Sequence, residues 1–140
     1  MAGYSGTPLP QKLGIKPGHR VALVQAPADF EATLGELPAD VELLADPRSR
    51  AALDVIICFT TSLADLKKRF RGLAKRLTPA GGLWIAWPKK ASGVPTDLTE
   101  DIIRVVGLEV RLVDNKVCAI DETWSGLRFV IRLQDRPKKI

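Results

Sequence analysis

The sequence holds little from which to build a metal centre or a familiar catalytic constellation. Its 140 residues include one histidine and two cysteines. Their spacing matches no zinc-ligand pattern, and two isolated cysteines make no disulfide framework. Cys58 and Cys118 each lie in an apolar run, which points to buried free thiols. No phosphate-binding glycine loop, nucleophile elbow or paired-carboxylate signature is present. No apolar run approaches the length of about 20 residues needed to cross a bilayer. The opening residues lack the basic and apolar regions of a signal peptide, so a cytoplasmic location is expected. Internal repeats and low-complexity tracts are absent.

What is there suits one globular domain over residues 1–140. Hydrophobic residues make up 46% of the chain, enough for a core without staples. Lysine and arginine exceed acidic residues by 21 to 16, a formal charge of +5. That surplus is compatible with an anionic partner and equally with a solvated basic surface. Residues 1–18 read as an arm with one helical turn, and residues 136–140 as a frayed tail.

Between them the pattern is βαββαβαββ. The runs RVALVQAP (20–27), VELLAD (41–46), LDVIICFTT (53–61) and GLWIAWP (82–88) are short and apolar, as buried parallel strands are. DFEATLGEL reads as a short helix with Asp29 at its N-cap. SLADLKKRFRGLAKRL places Leu63, Leu66, Phe70, Leu73 and Leu77 at helical spacing, with Ser62 as cap. TPAGG is expected to stop that helix. DLTEDIIRVVG is a second amphipathic helix, starting near Thr96 or Asp97 and ending near Gly107. LEVRLVDNKVCAID and LRFVIRLQ, with no helix between them, predict an antiparallel hairpin. The expected class is α/β: a Rossmann-like mixed sheet with parallel core strands, a C-terminal antiparallel hairpin, and helices on both faces.

This order resembles the class I S-adenosylmethionine-dependent methyltransferase fold. The likeness is carried by KPGHRVALVQAP, by LDVIICFTTSLADLKKRFRGLAKRLTPAGGLWIAWPKK, and above all by LTPAGGLWIAWP. Through GYSGTPLPQKLGIKPGHRV, WPKKASGVPTDLTEDIIR and VDNKVCAIDETWSGLRFV, the chain is similar over nearly its whole length to a bacterial family, domain of unknown function 3052. The methyltransferase resemblance implies S-adenosylmethionine as a possible cofactor. It also implies an acidic residue after strand two to hold the ribose, a position that Asp46 approximately fills. A turn residue is the competing reading of Asp46. Two departures stand out. The turn after strand one, QAPADF, has Pro27 and no glycine, whereas such a turn needs backbone free to approach the ligand. And only six residues separate VELLAD from LDVIICF, too few for a further strand and helix.

Ligands on doubly wound sheets bind outside the carboxyl ends of the strands. Lys89, Lys90 and Ser92 follow a strand directly, and Asp97 stands near the start of the next helix. Together they suit a phosphate or carboxylate, or else form an ordinary connection with solvated lysines. Asn115, Lys116 and Asp121 are expected to reach the same mouth, or else to serve turn chemistry. An arm carrying Tyr4, Ser5 and Thr7 either closes over the strand ends or is a disordered tail. His19, preceding strand one, lies at the opposite end and suits a surface position. The basic helix face of Lys67, Lys68, Arg69, Arg71, Lys75 and Arg76 lacks the interleaved aromatics of a nucleic-acid platform, which argues against nucleic acid. The leading expectation is a degenerate methyltransferase-like domain that binds a small anionic ligand or a protein partner without catalysis. An active methyltransferase with an atypical cofactor turn is the alternative, and a nucleic-acid-binding regulatory module is the weaker one.

Overall fold

A computed structural model describes residues 7–44 and 52–136. Helix α1 (Leu9–Lys12) precedes strand β1 (Arg20–Val24), helix α2 (Phe30–Leu34) and strand β2 (Glu42–Leu44). Strand β3 (Leu53–Phe59), helix α3 (Leu63–Ala74) and strand β4 (Leu77–Pro88) follow. Helix α4 (Glu100–Glu109) leads to the hairpin of β5 (Leu112–Ala119) and β6 (Trp124–Ile131). The six strands lie in one sheet in the order β2-β1-β3-β4-β6-β5. The first four are parallel, and the β6–β5 hairpin adds antiparallel to β4. This is the expected mixed Rossmann-like sheet.

Alternation along the strands decides what each face carries. Val55, Ile57 and Phe59 of β3 and Trp84 and Ala86 of β4 point to one face. There they meet Leu13 beside α1 and Phe30 and Leu34 of α2. Ile56 and Cys58, with Leu83 and Ile85, point to the other face and meet Leu66 and Phe70 of α3 and Ile103 and Val106 of α4. Both faces are therefore covered, as a sheet of continuous apolar strands requires. The wholly buried indole of β4 is satisfied, because Trp84 Nε1 donates to the Leu13 carbonyl at 2.9 Å. Cys58 and Cys118 are free and lie on opposite faces. Cys58 is wholly buried as expected, whereas Cys118 is half-buried.

Three boundaries differ from the sequence reading. Helix α3 ends at Ala74, before TPAGG, and that segment begins strand β4 instead of stopping a helix. Leu53 pairs with Leu77 and Val55 with Gly82, so the residues between bulge out of the ladder. Pro79 fits there because a bulged residue has no ladder hydrogen bond to donate. Helix α4 is capped by Thr99, whose side chain accepts from the Ile102 amide, and not by Thr96 or Asp97. Its Gly107 lies inside the helix rather than beyond it. Asp29 holds the N-cap position of α2, but its side chain makes no capping bond.

Gly107 is there for packing. A Cβ at this position would run into the ring of Phe129, which also packs edge-to-face with Phe70 at 5.2 Å. Glycine to alanine inside a helix ordinarily stabilises by up to about 1 kcal/mol. Gly107→Ala is predicted to do the reverse and destabilise by about 1–3 kcal/mol, the range for an overpacked core. Urea unfolding of the two proteins gives the sign directly, and a gain in stability would contradict this packing.

Candidate functional site

The strand order reverses between β1 and β3, since β1 connects outward to β2 and the chain then returns to β3. In open α/β sheets ligands sit at such a switch point, outside the carboxyl ends of the strands. Here that place is occupied by side chains. Gln25, directly after β1, has φ of 57°. That left-handed conformation costs an L-residue about 1–2 kcal/mol. It aims the amide across the crevice. Gln25 Nε2 donates to the Phe59 carbonyl at 2.9 Å and to Asp65 Oδ2 at 2.8 Å. The bridge thus ties the end of β1 to the end of β3 and to the first turn of α3.

Asp65 is the hub of this arrangement. It also accepts from Thr60 Oγ1 at 2.8 Å and from Arg69 Nε at 2.9 Å, while its own amide is capped by Ser62. Burial disfavours the ionised carboxylate. The hydrogen bonds from Gln25, Thr60 and Arg69, with the Arg69 charge, outweigh it and hold the Asp65 carboxyl below the ordinary carboxylate range. Beneath it, burial and then the Asp65 charge push the Cys58 thiol up to about 12, so this cysteine is no nucleophile at neutral pH. Phe59 and Trp124 meet edge-to-face at 5.1 Å along the rim. The cavity left among Gln25, Phe59, Thr60, Thr61, Asp65 and Trp124 is about 280 Å³. Small-molecule sites usually offer about 300–1,000 Å³.

The residues expected to form one mouth are divided between the two ends of the sheet. Lys89, Lys90, Ser92, Asp97 and Asp121 are at the carboxyl end, where Pro88 pairs with Trp124. Lys90 and Asp97 are exposed, and Lys89, Ser92 and Asp121 are half-buried. Three of these five side chains hold backbone. Ser92 Oγ donates to the Lys89 carbonyl at 2.6 Å and accepts from the Val94 amide. Asp97 Oδ1 accepts from the Leu63 amide at 2.8 Å, capping α3 from outside. Asp121 Oδ1 accepts from the Thr123 and Trp124 amides, as a turn residue does. Asn115 and Lys116 do not join them. Lys116 pairs with Arg128, four residues along β6 from Trp124, or roughly 13 Å at strand rise. Both line a cavity at the amino end, beside His19 and Asp54. The expected convergence of Lys116 and Asp121 is thereby corrected: a strand's ends are far apart, and sequence shows the strand but not which end a polar residue faces. Asp46, Tyr4 and Ser5 lie outside the described residues. The basic face of α3 is displayed, with Lys67, Lys68, Arg71 and Lys75 exposed.

Sequence reasoning passed over Gln25, Thr60 and Asp65. The available signal was the missing glycine after β1, which marks a turn where a side chain stands in place of open backbone.

Solved structures share this fold. A putative type 11 methyltransferase from Sulfolobus solfataricus superposes with a TM-score of 0.64 at 17% identity, covering 93% of each chain. An S-adenosylmethionine-dependent methyltransferase from Aquifex aeolicus does so with 0.61 at 16% identity and 87% of each chain. Magnesium protoporphyrin IX methyltransferase from Synechocystis, solved with bound S-adenosylmethionine, gives 0.61 at 10% identity over 89% of this chain and 74% of that one. The chain therefore has the fold of the class I methyltransferases. No sequence-family profile and no curated protein matches it, so the likeness to domain of unknown function 3052 rests on the sequence segments alone. Among the described residues no group of histidine, cysteine or acidic side chains could hold a metal, and no helix is long and apolar enough to cross a membrane.

The Asp65 hub sets an acid dependence. A carboxylate with a lowered folded pKa adds stability above its unfolded value and loses it as pH falls through the folded one. Asp65→Asn is predicted to cost about 1–3 kcal/mol near neutrality, the worth of hydrogen bonds to a charged group. The deficit should shrink as pH drops below the Asp65 reference value of 3.8. Equal deficits at neutral and acid pH in denaturant unfolding would contradict the hub.

Proposed function

We propose that the chain is a methyltransferase-like domain that acts by binding a small anion and does not transfer methyl groups. The observation that carries this is the Gln25 bridge across the switch-point crevice. A methionine cofactor in this fold needs open backbone after β1. Here Gln25, Ala26 and Pro27 stand in that turn, and the Gln25 amide joins the two strand ends that a cofactor would separate. The remaining space is small. The net charge of +5, with Lys89 and Lys90 on the carboxyl rim, supports an anionic ligand. Membership of the domain of unknown function 3052 family belongs to the same proposal.

The second reading, an active methyltransferase, is supported by the fold neighbours that hold S-adenosylmethionine or its product. In that reading the Gln25 side chain swings aside and Asp46 takes the ribose. A thermal-shift titration separates the two. A ligand at about 100 times its dissociation constant stabilises by roughly 2.7 kcal/mol. The binding-domain reading predicts an unchanged melting temperature with millimolar S-adenosylmethionine or S-adenosylhomocysteine. A saturable rise with either would overturn it in favour of the methyltransferase.

A further inference from the structure

A cavity of about 400 Å³ opens at the amino end of the sheet, on the face covered by α1. Both irregularities of the strand ladders meet there. One is the bulge opposite Asp54, which brings Thr78 and Gly81 to the wall. The other is Asn115, the extra residue between Asp114 and Lys116 opposite Phe129 and Arg128. Bulges re-aim side chains and cluster beside functional sites.

The charge on this wall is one-sided. Among the described residues Lys12, Lys16, Lys116 and Arg128 line it against one carboxylate, Asp54. Asp54 is itself engaged, accepting from the Arg20 amide at 2.8 Å. Elsewhere the chain pairs its cations readily: Arg104 meets Glu100, Asp101 and Asp114, and Arg69 meets Asp65. Among the described residues Lys16, Lys116 and Arg128 have no such carboxylate. Lys116 Nζ donates to the Lys12 carbonyl, and Arg128 reaches only Asn115 Oδ1, at 3.3 Å. Arg128 is half-buried, and burial together with the nearby Arg136 charge presses its guanidinium downward in pKa. Its position is also built in. The guanidinium lies over Gly82, where a Cβ would collide with it.

We propose that this cavity binds a phosphorylated small molecule of the sugar-phosphate class, with Lys16, Lys116 and Arg128 receiving the phosphate. A guanidinium fork flanked by ammonium groups is the donor set that a phosphate dianion takes. The volume accommodates a carbon skeleton besides the phosphate. Gln11, His19, Thr78 and Asn115 line the rest and present donors and acceptors for hydroxyls. Among the described residues the lining holds no phenylalanine, tyrosine or tryptophan, so they offer a nucleobase no stacking partner beyond the His19 ring. The inference names the ligand that the binding-domain reading leaves general. It rests on that reading for the domain's role but not for the occupancy of the cavity.

Calorimetric titration of the full chain tests it, with a hexose 6-phosphate, a pentose 5-phosphate, the free sugars, inorganic phosphate, adenosine monophosphate and a single-stranded RNA. Saturable binding of a sugar phosphate is expected, about tenfold or more tighter than inorganic phosphate or the free sugar, since each contributes only part of the contact. Arg128→Gln and Lys16→Gln should each weaken it by about tenfold, the scale of one charge-assisted contact. Lys16 is exposed, so its variant keeps the fold even if Arg128→Gln does not. Lys67→Gln, on the basic face of α3, should change nothing. No binding at millimolar concentration overturns the site. So does equal binding of inorganic phosphate, a preference for the nucleotide or RNA, or an affinity that Lys16→Gln leaves intact. S-adenosylmethionine in the same calorimeter keeps the two proposals apart. Its binding would overturn the non-catalytic reading alone, and loss of sugar-phosphate binding would overturn this one alone.

Discussion

Leu83, Trp84, Ile85 and Ala86 of β4 are wholly shielded from water, although successive side chains point to opposite faces of the sheet. A strand that is apolar on both faces can be stable only between two layers. That constraint places α1 and α2 on one side, α3 and α4 on the other, and the hairpin along the remaining edge of β4. It also fixes where function can reside. With both faces closed, polar side chains can gather only at the two ends of the strands. At one end the strands' carboxyl termini face the Lys89–Asp97 loop. At the other, the two bulges open a basic cavity.

The two ends differ in how their charges are held. At the carboxyl end Gln25, Thr60, Asp65, Ser92, Asp97 and Asp121 each have a protein partner. Asp65 takes hydrogen bonds from Gln25, Thr60 and Arg69, Asp97 caps α3, and Asp121 holds its own turn. A constellation so fully satisfied stabilises the fold and leaves little for a ligand to replace. At the amino end the pattern is reversed, since among the described residues Lys16, Lys116 and Arg128 face one engaged carboxylate. A methyltransferase fold with a side chain across its switch-point crevice and a basic recess at the far edge is consistent with fold and function being separable.

Much of the architecture was legible in the sequence because it follows from periodicity. The apolar runs at 20–27, 53–61 and 82–88 have no polar face to offer, and they hold the buried parallel strands β1, β3 and β4. The 3.6-residue spacing of Leu66, Phe70 and their neighbours gave α3 its buried stripe. What failed were the readings of single glycines and short polar residues. Gly81, Gly82 and Gly107 look like helix terminators, yet they make room for Asp54 backbone, Arg128 and Phe129. Space between elements distant in sequence leaves no local mark. For the same reason the sequence reading places Asn115 and Lys116 at the wrong end of the sheet.

The closed crevice is the claim on which the functional account turns, and heteronuclear NMR of the labelled chain tests it at the atoms concerned. The Gln25 side-chain amide, bonded at once to Phe59 and Asp65, should show a distinct resonance slowed in exchange. Adding S-adenosylhomocysteine to millimolar concentration should leave it, and the backbone amides of Thr60 and Asp65, unmoved. Saturable shifts confined to Gln25, Thr60 and Asp65 would mean that the bridge opens to admit the cofactor, and the account would be contradicted at its centre.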